Sequence, residues 1–348
     1  MNLWNSNIYL SDLKKALSSV NIEYYKNKSI LITGATGLIG SAIVDIFLMM
    51  NHMYNTNIIV YVAGRSKEED DARFPYGDEL GMRSVYYDAT KEISFEVSPD
   101  FMIHCASNAS PDKYISEPVE TMLANIFGAH NLLSAISKNS LKKFLYVSSS
   151  EVYGRLPHNK PMTEDEYGYI DVLSVRSSYS MGKRAAETMC ISHSKENNVY
   201  VCIVRPGHIY GPTSLPHDKR IASDFARKAA KGEPLLMKSE GNQIRSYCHC
   251  LDCATAMLKV LEKGENGQAY NISNPNSIIT IKQMAEILSV AGNVELVMDL
   301  PSTTEKKAFN PMSNSSLDSS KLEALGWTGN FSAEYGLTST VNVIKEII

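Results

Sequence analysis

The sequence predicts a doubly wound α/β protein, a parallel sheet wrapped by helices, with a smaller mixed lobe toward the C-terminus. Three observations predict it. From Ile30 onward, short β-type apolar runs alternate with longer helical stretches, the arrangement of a parallel sheet with crossover helices. A glycine-spaced turn, Gly34-x-x-Gly37-x-x-Gly40, joins the first run to the first long helical stretch. After Pro206 the chain is cut into smaller pieces by Pro212, Pro216, Pro234, Pro275, Pro301 and Pro311. No Gly/Ser linker divides the two parts, so they are expected to pack together with a cleft between them.

The elements follow in order. Leu10, Leu13, Leu17 and Val20 recur at helical spacing, which predicts a short amphipathic helix over residues 11 to 19 capped by Ser11. Strands are expected at Ile30 to Ile32, Ile58 to Val62, Ser84 to Tyr87, Phe101 to Ile103, Phe144 to Val147 and Val199 to Val204. Helices are expected at Ser41 to Met50, Pro118 to Ser137, Tyr179 to Glu196 and Ser223 to Lys231. No internal repeat or low-complexity segment interrupts them.

Composition narrows the function. Of 348 residues, 44% are hydrophobic and 21% charged, the balance of a folded globular chain rather than a disordered or fibrous one. A formal charge of -4 supplies no general attraction to nucleic acid or to an anionic membrane, so neither is an expected partner. The first 25 residues lack the basic and apolar regions of a signal peptide, and the greasiest segment, Ala42 to Met50, contains Asp45 and is too short to span a bilayer. Six cysteines in a chain of this size make no disulfide framework, so a reducing, cytoplasmic location is expected. Cys248, His249, Cys250 and Cys253 cluster, yet no second ligand pair follows at zinc spacing, and no metal is expected.

The glycine turn, Thr33-Gly34-Ala35-Thr36-Gly37-Leu38-Ile39-Gly40, sits between a strand and a helix. There Gly34 permits the tight turn, Gly37 lets backbone approach a pyrophosphate, and Gly40 lets helix and sheet pack closely, with the helix N-terminus facing the anion. This makes the fold Rossmann-type, with residues 28–205 as a dinucleotide-binding domain, 1–27 as an N-terminal extension, and 206–348 as mainly a substrate-binding lobe intertwined with the first domain. The second strand runs Val60 to Ser66 without the usual ribose-binding acid. Arg65 stands where a 2′-phosphate is held, which points to NADP, although an Arg there also suits an adenine face or plain surface charge. Asp88 suits either the adenine amino group or a strand-end cap.

Tyr179 and Lys183 lie four apart on a helical stretch, so both side chains leave one face. A Lys cation beside a phenol lowers the phenol pKa and makes the tyrosinate available as a base. The pair follows Ser148-Ser149-Ser150 at the end of an apolar strand.

Together with Arg205-Pro-Gly-His-Ile-Tyr-Gly-Pro212, these motifs resemble the extended short-chain dehydrogenase/reductases that modify nucleotide sugars, from about Lys28 to the C-terminus. Within that family the chain is most similar to the UDP-glucuronate decarboxylases. The similarity lies in His104-Cys-Ala-Ser-Asn-Ala-Ser-Pro111-Asp-Lys-Tyr114, in Ser148-Ser-Ser-Glu151-Val-Tyr-Gly154, and in Arg176-Ser-Ser-Tyr179-Ser-Met-Gly-Lys-Arg184-Ala-Ala-Glu-Thr-Met-Cys190.

The resemblance implies a tightly bound, recycled NAD or NADP, with Ala106 and Lys183 among its contacts. Tyr179 takes the proton of the sugar 4-hydroxyl while hydride leaves C4, and Ser149 bonds the 4-oxygen as charge develops there. A C5 carboxylate beside a 4-ketone is a β-keto acid and loses carbon dioxide. Glu151 marks decarboxylases and 4,6-dehydratases, whereas 4-epimerases carry a small or hydroxyl residue there; Ser150, where a dehydratase usually has an acid, disfavours dehydration. Ser107, Tyr114, Ser150, His208, Arg220 and Arg245 are expected at the substrate, the two arginines on its diphosphate. The family also implies a homodimer through a four-helix bundle. Rival readings are a 4-epimerase, a 4,6-dehydratase, and an inactive cofactor-binding regulatory protein. Two departures from the family stand out: Gly207-His208 replaces a Phe-Asn pair, leaving His208 as a phosphate or sugar donor or a structural residue, and Asn310-Pro-Met-Ser-Asn-Ser replaces an Arg-Pro-Asp run before Leu325-Gly-Trp327.

Overall fold

The computed structural model describes residues 2–89, 91, 97–107, 109, 111–135, 141–299 and 312–348. Its strands are β1 (Ser29–Thr33), β2 (Ile59–Gly64), β3 (Met82–Tyr86), β4 (Phe101–His104), β5 (Lys143–Val147), β6 (Val201–Pro206), β7 (His208–Tyr210), β8 (Leu235–Met237), β9 (Ile244–His249), β10 (Gln268–Ile272), β11 (Ile278–Thr280), β12 (Leu296–Met298) and β13 (Asn314–Ser315). Its α-helices are α1 (Asn7–Leu17), α2 (Ile22–Tyr25), α3 (Leu38–Tyr54), α4 (Lys67–Arg73), α5 (Pro111–Ser116), α6 (Pro118–Ala135), α7 (Ser177–Asn197), α8 (Ile221–Ala230), α9 (Cys250–Lys263), α10 (Ile281–Gly292), α11 (Ser320–Glu323) and α12 (Ala333–Ile347).

The main sheet is parallel, in the order β10-β6-β5-β4-β1-β2-β3. Its alternation can be followed on β1. Ile30 and Ile32 join a core with α3 and α9, and Leu31 joins one on the opposite face with Leu132 of α6 and Ala186 of α7; successive strand residues point to opposite faces. α3 is buried continuously from Gly40 to Met50 because α1 and α9 cover what the sheet does not. The smaller lobe has β9 at its centre, parallel to β7 and β13 and antiparallel to β11. Phe225, Leu235, Leu288 and Leu337 fill the core under α8, α10 and α12.

The chain returns to the first domain well after Pro206. α9 lies on α3, and β10 pairs with β6 from Gln268 opposite Cys202 to Ile272 opposite Pro206. The N-terminal helix departs from expectation. It starts one turn earlier, with Ser6 rather than Ser11 as the cap, its hydroxyl accepting from the Tyr9 N–H at 3.1 Å. Tyr9, Leu13, Ala16 and Leu17 form the buried stripe, which reaches further back than the leucines alone indicated. Four places in the quoted motifs and segments lie outside the described residues: Asn108 with Ser110, Ser137 at the expected helix end, Pro301, and Asn310 with Pro311.

Candidate active site

Two cavities meet at the carboxyl ends of β1, β4 and β5, the place where open α/β sheets hold ligands. One, of about 480 Å³, is lined by the whole Gly34 to Gly40 turn together with Arg65, Asp88 and Ala106. The other, of about 700 Å³, is lined by Ser149, Ser150, Glu151, Tyr179, Lys183, His208 and Arg245. Ser107 and Arg220 line both.

The turn is built as a cradle. Gly34 has φ +65°, and a Cβ there would lie 2.8 Å from the Ala106 backbone. A Cβ on Gly40 would lie 2.3 Å from the Gly34 carbonyl oxygen, so Gly40 packs against the turn itself rather than against the sheet as expected. Thr33 ties the ends of β1 and β4, its hydroxyl bonded to His104 Nδ1 at 2.7 Å and accepting from the Ala106 N–H at 3.2 Å. Thr36, Leu38 and Ile39 complete this wall. Arg65 is exposed beyond the end of β2, with Glu69 and Asp70 lining the same cavity. Asp88 lines the same cavity, 4.0 Å from the Lys91 ammonium.

Tyr179 and Lys183 stand one turn apart on α7, both buried. Lys183 donates to the Val147 carbonyl at 2.7 Å, and burial lowers its pKa to about 8. The expectation that this ammonium lowers the Tyr179 pKa is corrected. The ammonium lies 5.9 Å from the Tyr179 ring centre. Burial pushes Tyr179 up to about 12, and the groups that oppose it are the Ser149 hydroxyl, the Arg220 charge and the Tyr114 hydroxyl. Tyr114 stacks on Tyr179, ring centres 4.3 Å apart and planes 10° apart.

Ser149 caps the short turn that carries Glu151, accepting from the Glu151 N–H at 3.2 Å. The Glu151 side chain is one-third exposed to the cleft, and burial raises its pKa against the pull of Arg176, 3.5 Å away.

Arg220, Arg245 and His208 line the same cavity. Arg245 is 4% exposed and donates to the Ile244 and Met312 carbonyls at 2.9 and 3.2 Å; no carboxylate pairs with it among the described residues. A buried guanidinium without an acid calls for an anionic ligand. His208 is held neutral, its pKa lowered to about 3 by burial and by Arg245 and Arg220, and its Nδ1 has no partner among the described residues. Arg220 pairs with Asp218, its Nε donating to both carboxylate oxygens at 2.9 and 3.0 Å. Ser107 donates to Asn125 Oδ1 at 3.0 Å.

Arg176, Asp218 and Tyr247 were not singled out as site residues from the sequence. The signals were present for two of them, since Arg176 lies three residues before Tyr179 and Asp218 forms Asp-x-Arg with Arg220. Tyr247 lines the larger cavity from β9 and follows no motif. Cys248, Cys250 and Cys253 are buried free thiols, and the described residues contain no group of three His, Cys, Asp or Glu placed to hold a metal. No described helix is long and apolar enough to cross a membrane.

The model of the NAD dependent epimerase/dehydratase family matches residues 30–273. UDP-glucuronic acid decarboxylase 6 of Arabidopsis thaliana is 31% identical over 90% of this chain and 88% of its own length. Among solved structures, UDP-glucuronic acid 4-epimerase from Bacillus cereus superposes with a TM-score of 0.76 at 22% identity, covering 92% of this chain and all (100%) of that one. A dTDP-glucose 4,6-dehydratase from Streptomyces venezuelae gives 0.75 at 22% identity, covering 91% of this chain and 97% of that one.

Proposed function

The chain belongs to the NAD dependent epimerase/dehydratase family, and from that premise we propose that it decarboxylates UDP-glucuronate or a similar nucleoside-diphosphate uronic acid through transient oxidation at C4. The observation that carries this reading is Glu151, in the same cavity as Tyr179, Ser149 and Arg245, which pairs with no carboxylate among the described residues. The glycine cradle and the adjoining cavity fit a nicotinamide dinucleotide, because a side chain at Gly34 or Gly40 would collide with backbone there. When bound, the nicotinamide supplies the acceptor for the C4 hydride and later returns it, so no net redox change results.

The chain's own groups do the rest. Tyr179 takes the proton of the 4-hydroxyl, and Ser149 holds the same oxygen as its charge grows. Lys183, still largely protonated at neutral pH, keeps a positive charge beneath them. With C4 a ketone, the bond from C5 to the carboxylate breaks, carbon dioxide leaves, and the electron pair moves into the ketone as an enolate. Glu151 holds its proton more readily than an exposed glutamate, which suits it to proton transfer at C5. Arg245, His208 and, once released from Asp218, Arg220 face the diphosphate.

The same reading extends to the cofactor and the assembly. The acids Glu69 and Asp70 beside Arg65 disfavour a 2′-phosphate, so we assign NAD. Val119, Met122, Leu123 and Phe127 form an exposed apolar stripe on α6, beside α7, which supports pairing of two chains through a four-helix bundle. Six free cysteines accord with a reducing, cytoplasmic setting.

Incubation with UDP-glucuronate, followed by mass spectrometry with Tyr179→Phe as control, tests the reaction. The expected product has lost carbon dioxide, and the variant forms none. Isomerisation at constant mass would identify an epimerase, loss of water a dehydratase, and no conversion of any nucleotide sugar a regulatory protein. Mass spectrometry of the cofactor released on denaturation tests the second assignment, which recovery of NADP would overturn.

A further inference from the structure

Asp45 lies on α3, the helix that begins at the glycine cradle, and its carboxylate is fully buried. It accepts four bonds from three directions. Trp4 Nε1 at 3.1 Å and the Tyr9 hydroxyl at 2.7 Å come from the N-terminal extension. Arg73 Nη2 at 2.7 Å comes from the last residue of α4, and the Tyr76 hydroxyl at 2.7 Å from the turn that follows it. The Trp4 indole also stacks on the Tyr76 ring, centres 4.1 Å apart. The second terminal nitrogen of Arg73 is buried without a partner among the described residues, so this guanidinium is held chiefly through Asp45.

α4 is the element this arrangement fixes. It is seven residues long, Lys-Glu-Glu-Asp-Asp-Ala-Arg, too short to hold its place by helix propensity even with Ser66 as its cap and acids in its first turn. Yet its cap Ser66, with Glu69 and Asp70, forms the wall of the smaller cavity beyond the end of β2, where Rossmann folds hold the adenosine ribose. We propose that the N-terminal segment, through Asp45, clamps α4 against the adenosine half of the cofactor cavity, so that Trp4 and Arg73 are positioning residues for cofactor retention. The inference rests on the reading that this cavity holds a nicotinamide dinucleotide. It assigns a role to the extension that precedes the sheet, and it suits a reaction in which one cofactor molecule must stay bound from oxidation through re-reduction.

The test compares the full-length protein with Arg73→Gln, Trp4→Leu and Leu13→Ala. The last thins the core under the same N-terminal helix while leaving every bond to Asp45 in place. Release of bound NAD is followed by rapid gel filtration and absorbance, UDP binding by calorimetry, and Tm by scanning fluorimetry. Arg73→Gln and Trp4→Leu are expected to release NAD about tenfold faster, equivalent to about 1.4 kcal/mol, with UDP affinity unchanged. Leu13→Ala is expected to lower Tm and keep the original release rate. Unchanged NAD release in both clamp variants would overturn the proposal, and so would equal acceleration in Leu13→Ala, which would show general loosening. Failure of the unaltered protein to hold either NAD or NADP would instead refute the cofactor reading, and the clamp with it.

Discussion

Replacing Arg245 by Met separates the stability of the fold from the strength of the site. The guanidinium is buried, and among the described residues its compensation is two bonds to main-chain carbonyls. Each charge-assisted bond contributes about 1.5–3 kcal/mol, while burying the cation costs several kcal/mol. The two nearly cancel, so Arg245→Met, which keeps most of the volume, is expected to leave the ligand-free Tm almost unchanged. Ligand changes the balance. Nucleotide sugar at 100 times its Kd stabilises the unaltered protein by about 2.7 kcal/mol, or about 5 °C at roughly 2 °C per kcal/mol for a large domain. Losing one charge-assisted bond to phosphate removes about 1.5–3 kcal/mol and weakens binding about 10- to 100-fold. At the hundredfold limit the same ligand concentration equals Kd and contributes about 0.4 kcal/mol, a shift of about 1 °C. Scanning fluorimetry with and without UDP-glucuronate reads both numbers. An undiminished ligand shift in the variant, when the unaltered protein responds, would refute the assignment of Arg245 to the anion. So would a ligand-free Tm lower by many degrees, because the residue would then be structural.

Other substitutions probe the scaffold. Arg205 is 2% exposed and bidentate to Glu187, at 3.0 Å from Nε and 2.7 Å from Nη2, so Glu187→Ala should destabilise by about 3–5 kcal/mol, measured by urea unfolding; a change below about 1 kcal/mol, the range of an exposed pair, would contradict the burial argument. Lys183 has its pKa lowered to about 8 from 10.5, so between those values the unfolded chain binds the extra proton and this residue's contribution makes stability rise with pH. Lys183→Met should flatten that rise, and an unaltered slope in stability against pH would count against the shift. Phe127→Glu, on the exposed stripe of α6, should turn a dimer into a monomer by light scattering without lowering the helix content; a dimer that persists places the interface elsewhere.

The parts of this molecule that were legible in the sequence are those where a single local rule decides. Ile30-Leu31-Ile32 followed by three spaced glycines can only be a buried strand entering a tight turn, and the structure has it so. Tyr179 and Lys183 met because helical spacing puts them on one face. What escaped depends on partners distant in the chain. The Tyr179 pKa is governed by burial under Tyr114 and by Ser149 and Arg220, none of which lies within the Tyr-x-x-x-Lys motif. The resemblance implies a phosphate role for Arg220, but its pairing with Asp218 two residues away is a side-chain contact that the resemblance does not include. α1 starts a turn earlier than the leucine spacing indicates because Tyr9, outside that spacing, is buried and bonded to Asp45, and Ser6 caps the helix before it.

The contact of α1 with α12 also sets an order of events during synthesis. Ser6 and Ile8 bond Glu346, and the buried Asp12 is held by Tyr335 and Ser339. Ser6 and Glu346 are 340 residues apart, a distance that a ribosome working at about 5–20 residues per second covers in roughly 20–70 s. For that interval a helix made early waits with its carboxylate unpartnered. α1 is therefore translated well before the segment that locks it, and pulse-chase proteolysis should find it cut long after the central strands have become resistant.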